Sequence, residues 1–260
     1  MFECLLVIRS RATAKVMLPL VLGILLVAPD AAHAQQFYGD NQWVAPHGVA
    51  TLVGNVATEY SQAIATVALI PEWEFNLSWM NTYDNPLTGS SSYDSYNFWV
   101  KRRLSENEAE TAGYAFMAGT GLWPEHIVDG NASSAGESWW ANFVATYAFL
   151  DDTVLLDVLP GFILDTDRKQ SGESAWGFTY GSRVAWYGVI PRSAIVAEVF
   201  GTAGEAFTEP SYRAGVRWES PKVIVTLTYT EAFDGSSSGG AELGLIYFTE
   251  PRFCFGGCRR

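Results

Sequence analysis

The chain has 260 residues and a formal net charge of −12 at pH 7. This acidic balance argues against nucleic-acid binding, because the phosphate backbone attracts basic surfaces. Hydrophobic residues make up 48% of the chain, yet beyond the N-terminal segment no run reaches the roughly 18 apolar residues of a spanning helix. The apolar residues are dispersed, as alternation in β-strands requires.

Residues 1–34 are predicted to be a signal peptide that is removed during export. A basic stretch precedes an apolar run of 13 residues, 16–28, and Ala32-His33-Ala34 forms a small-x-small cleavage site. A spanning helix needs about 20 residues, so an uncleaved N-terminal anchor is the less favoured alternative. Residues 35–260 are expected to form one large all-β domain.

Apolar and polar residues alternate in twelve stretches of the mature chain, which predicts β-strands with two chemically different faces. The clearest is 72–83, where an aromatic and aliphatic face opposes Glu74, Asn76 and Ser78. Twelve strands are preferred, and ten are the alternative, since the first two stretches are rich in small residues. The predicted strands are 48–58, 61–70, 72–83, 93–104, 110–122, 137–149, 153–165, 175–188, 193–200, 210–218, 222–231 and 241–249.

Three of these strands carry aromatic residues ten positions apart. Ten residues of strand advance about 33 Å, and a tilt of about 40° reduces this to about 25 Å along a barrel axis. That is the height of the apolar band of an outer-membrane barrel, which aromatic girdles flank. The predicted membrane-interface pairs are Trp73 with Tyr83, Trp139 with Phe149, and Trp176 with Trp186.

The predicted connections alternate between short and long, with long ones such as 84–92, 123–136 and 201–209 rich in Gly, Ser, Asp and Asn. Short periplasmic turns and long extracellular loops are typical of outer-membrane proteins. We therefore predict an all-β fold, a single antiparallel up-and-down transmembrane barrel with both termini in the periplasm. A soluble exported β-protein is the alternative, but its strands would be about 5–6 residues long.

Strand 153–165 contains a proline, Pro160, which removes a hydrogen bond from the ladder. The same strand places Leu155, Leu159 and Ile163 on its nominally inner face. Two explanations stay open at this stage: a bulge at the proline, or packing of these side chains against something inside the barrel.

The strand layout, ending in Ala241-Glu-Leu-Gly-Leu-Ile-Tyr-Phe-Thr249, resembles the bacterial outer-membrane barrels of the MetA-pathway phenol-degradation family. The resemblance implies residence in a Gram-negative outer membrane, contact with its lipid, and insertion by the barrel-assembly machinery. It also implies porin-like transport of small solutes, among them hydrophobic or aromatic compounds. Such barrels usually finish on an aromatic residue, whereas this chain continues through Cys254 to Arg260.

Charged residues on the predicted inner faces are candidates for lining the lumen. Arg183, Glu198, Arg213 and Arg217 lie on three consecutive strands, so they could share one wall with an excess of positive charge. They could form an ionic network that rigidifies the lumen, or a selectivity patch in a narrow pore. The full set of lumen candidates is Lys101, Arg103, Asp157, Arg183, Glu198, Arg213, Arg217 and Glu242.

The sequence offers little sign of catalytic chemistry. Only His47 and His126 remain in the mature chain, and neither lies in a pattern that would pair a nucleophile with a base. No catalytic residue, metal site or cofactor is therefore expected, and the chain is expected not to be an enzyme. Cys254 and Cys258 could close a small disulfide loop, or be incidental. A channel is the favoured function, and a non-conducting structural barrel is the rival.

Overall fold

A computed structural model describes residues 41–58, 60–83, 92–121, 135–166, 174–235 and 240–255. Within these ranges no helix has the length and apolarity needed to cross a membrane. The predicted signal peptide, His126 and Cys258 lie outside the described residues. The strands of the described part are β1 (Ala50–Ala57), β2 (Tyr60–Ile70), β3 (Trp73–Thr82), β4 (Tyr93–Glu106), β5 (Gly113–Thr120), β6 (Ser138–Phe149), β7 (Val154–Val158), β8 (Gly161–Asp165), β9 (Ala175–Tyr187), β10 (Ser193–Gly204), β11 (Thr208–Glu219), β12 (Val223–Ala232) and β13 (Gly240–Phe248).

The strands form one closed antiparallel barrel. Apart from β7 and β8, strands that follow each other in the chain pair with each other, and β13 pairs with β1, from Thr51 opposite Phe248 to Ala57 opposite Glu242. Strands β7 and β8 share a single position, because both pair with β6 on one side and with β9 on the other. The wall therefore has twelve strand positions, which confirms the predicted fold class.

The split between β7 and β8 comes from the proline and not from a bulge. The register with β6 and β9 does not shift across Leu159-Pro160. The Phe143 N–H donates to the Pro160 carbonyl at 2.9 Å, and the Leu159 N–H donates to the Gly181 carbonyl at 2.8 Å. The bulge explanation is wrong: the strand runs straight through and lacks only the N–H that proline cannot supply.

One predicted loop is largely strand. Strand β10 continues to Gly204 and β11 begins at Thr208, so the loop predicted at 201–209 shortens to three residues, 205–207. A register shift between Phe200 and Thr202 accommodates the bend of the strand end. Glycine and small polar residues there favoured a loop, but their pairing with β9 keeps the segment in the sheet.

The two faces of the wall have opposite chemistry. Large apolar side chains such as Leu77, Phe143 and Leu245 are exposed on the outside, while residues such as Asn97 and Arg213 are buried inside. A soluble protein would reverse this arrangement, and an apolar outer surface that surrounds a whole barrel requires lipid. The protein is an outer-membrane barrel, and the soluble alternative is excluded.

Both described chain ends and the turns β2–β3, β6–β7, β9–β10 and β11–β12 lie at the same end of the barrel. We call this the periplasmic end, because the periplasmic turns of outer-membrane barrels are short. The opposite, extracellular end carries the longer connections that follow β3, β5 and β8.

Candidate functional site: the barrel interior

The inner wall is lined mainly by small polar side chains that hydrogen-bond across neighbouring strands. Asn55 donates to Gln62 at 3.1 Å, and Asn97 donates to Ser78 at 3.0 Å. Paired in this way, amides and hydroxyls can be buried without the cost of an unsatisfied polar group. Further buried polar residues of the inner wall are Thr51, Thr66, Asn76, Ser95, Asn142, Thr179, Thr226 and Thr228.

Residues 41–49 precede β1, and we call them the N-terminal plug, because the first five of them lie inside the barrel. Asn41 and Gln42 are 0% exposed, and Trp43, Val44 and Ala45 are also buried. No role was predicted for residues 41–47, and residues 48–49 were predicted to belong to the first strand, which begins at Ala50 instead. The only sequence signal that this segment is buried was the presence of Trp43 and Val44 in a stretch without a strand pattern.

An ion pair of the wall holds the backbone of the plug. Glu74 and Lys101 are directly opposed on β3 and β4, both are 0% exposed, and their charged atoms are 3.9 Å apart. The Lys101 Nζ donates to the Trp43 carbonyl, and the Ala45 N–H donates to the Glu74 Oε1 at 2.6 Å. Because buried charges need further hydrogen bonds to offset desolvation, the plug and the pair stabilise each other.

Three further contacts fix the plug to other parts of the wall. The Gln42 N–H donates to the Thr146 hydroxyl at 3.1 Å, and its side-chain amide donates to the Glu110 carbonyl at 3.2 Å. The Trp43 ring packs edge-on against Phe248, with ring centroids 5.9 Å apart. The plug is therefore anchored to β3, β4, β6 and β13 around the periplasmic half of the lumen.

The C-terminal tail covers the point where the plug enters the barrel. The Arg252 and Phe253 N–H groups donate to the Gly48 carbonyl at 2.8 and 3.0 Å. Cys254, the residue that follows Phe253, is disulfide-bonded. Its predicted partner Cys258 lies outside the described residues, so that pairing stays a prediction.

A row of alternating charge crosses four strands of the opposite wall. In register, Asp157 on β7 opposes Arg183 on β9, which opposes Glu198 on β10, which opposes Arg213 on β11. All of these side chains are buried. The ion pairs are Asp157 with Arg183 at 2.6 Å, Glu198 with Arg213 at 3.1 Å, and Arg217 with Glu219 at 2.7 Å.

These pairs change the charge balance expected from the sequence. Three arginines were expected to face Glu198 with a positive excess, but Asp157 and Glu219 lie on the same wall and make it neutral. Neighbouring opposite charges stabilise a sheet, and the Arg213 guanidinium also lies 5.2 Å from the centre of the Phe200 ring.

Two of the charged candidates lie apart from this wall. Arg103 is at the periplasmic rim, where it donates to Glu72 in the β2–β3 turn at 2.8 Å and contacts Glu106. The hydrogen bond from Arg103 lowers the pKa of Glu72 below its ordinary value. Glu242 is buried near the extracellular end of β13 and accepts a hydrogen bond from the Tyr60 hydroxyl.

An apolar cluster faces the lumen from β4, β5, β6 and the β7–β8 junction. The Trp99 and Trp140 rings lie 6.3 Å apart, over Gly119. A Cβ at Gly119 would come within 2.5 Å of the Trp99 Cβ, so only glycine leaves room for the two indoles. The buried members of the cluster are Trp99, Ala115, Met117, Trp140, Val144 and Leu159. The second explanation for the proline strand is confirmed for Leu159, while Leu155 packs in a separate cluster with Ala185, Ala194 and Val196.

The six predicted interface aromatics lie at the two ends of the outer surface. Trp73, Phe149 and Trp186 are near the periplasmic end, and Tyr83, Trp139 and Trp176 are near the extracellular end. All are exposed except Trp73, which is half-buried and has the Arg102 guanidinium 5.3 Å from its ring centre.

Few described residues could serve as metal ligands. His47 is half-buried at the root of the plug, where its Nε2 lies 3.0 Å from the Leu69 carbonyl oxygen. Within the described ranges no three His, Cys, Asp or Glu side chains are grouped as a metal site would require.

No family model and no curated protein sequence matches the chain. Several solved structures are similar at low identity. An outer membrane channel from Pseudomonas putida F1 is 13% identical, with 81% of this chain and 97% of that chain covered and a TM-score of 0.47. LpxR from Salmonella typhimurium is 9% identical, with 77% and 100% covered and a TM-score of 0.45. A mutant of the Rh. blastica porin is 14% identical, with 74% of this chain and 56% of that chain covered and a TM-score of 0.36.

The apolar outer surface, the polar interior and the closed ring of paired strands place this chain in the class of outer-membrane β-barrels. One sequence-based expectation must be corrected here. The chain was expected not to be an enzyme, because no nucleophile and base were recognised in its sequence, but LpxR, one of these similar structures, is an outer-membrane lipid A deacylase. That expectation is therefore overturned.

Proposed function

We propose that the protein is a gated outer-membrane channel for small solutes, in which the N-terminal plug closes the periplasmic half of the lumen. The observation that carries this proposal is the combination of a polar inner wall with a closure that is not part of the wall. The plug is held by hydrogen bonds to the side chains of Glu74, Lys101 and Thr146 and by ring packing on Phe248. Each hydrogen bond contributes only about 1 kcal/mol.

A closure of this kind can be displaced without breaking the barrel. None of its contacts replaces a ladder hydrogen bond between strands, since β1 to β13 pair with one another around the whole wall. A solute that binds the open state better by a few kcal/mol would shift the population towards it. The free energy that holds the plug in place is therefore small enough for the plug to act as a gate.

The apolar cluster favours one class of solute: a small aromatic or hydrophobic compound that carries a polar group. Trp99, Met117 and Trp140 offer an apolar surface inside the lumen. Beside it, the buried Trp140 Nε1 and Asn142 Oδ1 have no hydrogen-bond partner among the described residues. A phenol-like molecule has a ring for the indoles and a hydroxyl that can both accept from Trp140 and donate to Asn142.

Conductance and solute uptake test the proposal. Mature protein should give small conductance in planar bilayers, and phenol should enter proteoliposomes faster than through lipid alone. Replacing Trp43→Ala and Gln42→Ala together should increase both, because these side chains anchor the plug. The control Trp139→Ala removes an exposed indole of the outer surface and should change neither. Absence of conductance and uptake in wild type and plug variant alike would refute the channel.

The rival function is a non-conducting structural barrel, and one observation favours it. The charged row and Leu159 are buried, so both walls are densely packed at their centre. If this packing closes the lumen without the plug, the plug variant will lose plug contacts but stay impermeable. Uptake by the plug variant therefore separates the two functions.

A further inference from the structure

We propose that a groove on the lipid-facing surface, near the extracellular end, binds the acyl chain of an outer-leaflet membrane lipid. The groove has a volume of about 470 Å³ and runs across β4, β5, β6, β8 and β9. It lies outside the barrel and has no part in the proposed channel. We call it the lipid groove, and its outward-facing walls are formed by Phe98, Trp139, Phe162, Leu164 and Trp176.

The groove exists because two small residues lie side by side between large ones. Ala118 on β5 and Ala141 on β6 are directly opposed in register and both face outward. A few residues towards the periplasm, Ala145 occupies the same kind of position, but Tyr114 opposes it in register and Ala145 is buried. The Tyr114 ring stacks on Phe143 at 5.6 Å there, so the surface is filled. At Ala118 and Ala141 it is left open.

The groove does not lead into the lumen. Trp140 and Ile163 from the inner face back its floor, but the ladder hydrogen bonds continue between β4 and β5, β5 and β6, β6 and β8, and β8 and β9. A molecule in the groove therefore arrives from the membrane and stays on its lipid side.

The chemistry of the lining selects an acyl chain. No side chain that lines the groove carries a charge, so a headgroup would have to lie beyond it. The groove is continuous with the outer apolar surface, which lipid chains already cover. Its 11 lining residues are fewer than the roughly 20–30 residues per side of a stable protein interface. A flexible chain of methylenes fits the groove, and a protein partner would need more surface.

Filling the groove tests the proposal. Ala118→Leu with Ala141→Leu would occupy the floor, and Ala197→Leu with Ala214→Leu is the matched control. Ala197 and Ala214 are likewise directly opposed and outward-facing, on β10 and β11, but they lie outside the groove lining. Each variant is purified in detergent and titrated with dioleoyl phosphatidylethanolamine, and native mass spectrometry gives the dissociation constant of the tightest lipid site.

The groove variant should bind its tightest lipid at least about tenfold more weakly than wild type, which corresponds to about two buried methylenes. The control should bind as wild type does. Equal affinity in all three proteins would overturn the proposal. Binding of decanoate, but not of the phospholipid, would overturn the lipid as occupant. Wild-type dimers that disappear in the groove variant would identify a second copy of this chain instead.

Correct folding is checked by the heat-dependent shift in electrophoretic mobility that closed barrels show. Both double variants place leucine on a lipid-facing surface, where it is favourable, and should fold as wild type does. A parallel titration with lipid A tests the headgroup: tighter binding than phosphatidylethanolamine, lost in the groove variant, would support the outer-leaflet source.

Discussion

Two buried ion pairs of the wall have the same position on neighbouring strands but differ in the groups that supply their remaining hydrogen bonds. Asp157 and Arg183 are directly opposed on neighbouring strands, as are Glu74 and Lys101. In the first pair the charged atoms are in direct contact at 2.6 Å, the pair continues into the charged row, and Asp157 touches the plug only indirectly, through the Thr146 hydroxyl. The second leaves 3.9 Å between its charged atoms and completes its hydrogen bonds with the plug. Opposed charges inside a barrel can therefore either stabilise the wall or hold a separate segment, depending on what supplies the remaining hydrogen bonds.

The largest effect is expected from breaking the pair of Asp157 with Arg183. Asp157→Ala leaves the Arg183 guanidinium buried without its carboxylate, which should cost about 3–5 kcal/mol of unfolding free energy. Urea unfolding in detergent measures this loss. Replacing both residues, Asp157→Leu with Arg183→Met, should recover most of the stability, because no unpaired charge remains. A double variant as unstable as the single one would mean that the pair acts through packing.

A smaller change should follow from neutralising the pair that holds the plug. In Glu74→Gln with Lys101→Met the barrel should keep its stability, since a neutral replacement leaves no buried charge. The plug should open more often, because it loses hydrogen bonds worth about 1 kcal/mol each. A cysteine at Val44, with Cys254 and Cys258 replaced by serine, should then react with a maleimide roughly tenfold faster. An unchanged rate would show that the pair does not hold the plug.

The charged row also predicts an effect on any ion flow. Replacing Arg213→Ser with Arg217→Ser removes the positive charges paired with Glu198 and Glu219, so conduction should shift modestly towards cations. The matched variant Glu198→Gln with Glu219→Gln should shift it towards anions. Reversal potentials under a salt gradient measure both. Identical selectivity in the two variants, with reduced stability, would assign the row a structural role alone.

The smallest effect is expected at the rim, where the hydrogen bond from Arg103 lowers the pKa of Glu72 from its ordinary value. A carboxylate with a lowered pKa in the folded state stabilises the fold above its unfolded pKa. That contribution is lost as the pH falls through the lowered value. Because the pair is partly exposed, it should contribute about 0.2–1 kcal/mol. Glu72→Gln should remove this part of the acid dependence of unfolding, and an unchanged pH profile would show that the pair contributes nothing measurable.

The strands could be predicted because their signal is local. Alternation of apolar and polar residues with period two is present within each strand, and membrane burial of the outer face makes it strong. Strand 72–83 was found almost to the residue, as β3 from Trp73 to Thr82. The fold class followed from counting such stretches and from the alternation of turn lengths.

The interior could not be predicted in the same way, because its contacts depend on register between strands. That Asp157 meets Arg183 follows only when β7 is aligned with β9. The plug is still further from sequence reasoning, since Gln42 binds Thr146, 104 positions along the chain. The lipid groove depends on one alanine facing another, and Ala145 shows that the same residue type in the same strand is covered instead.

The packing of Trp43 on Phe248 makes the last strand a condition for seating the plug. Phe248 is the final residue of β13, and it reaches its place only when β13 has paired with β1. During biogenesis the plug can therefore take up its full set of contacts only after the wall has closed. The order of assembly is thus built into the contacts of the plug, which depend on strands from both ends of the wall.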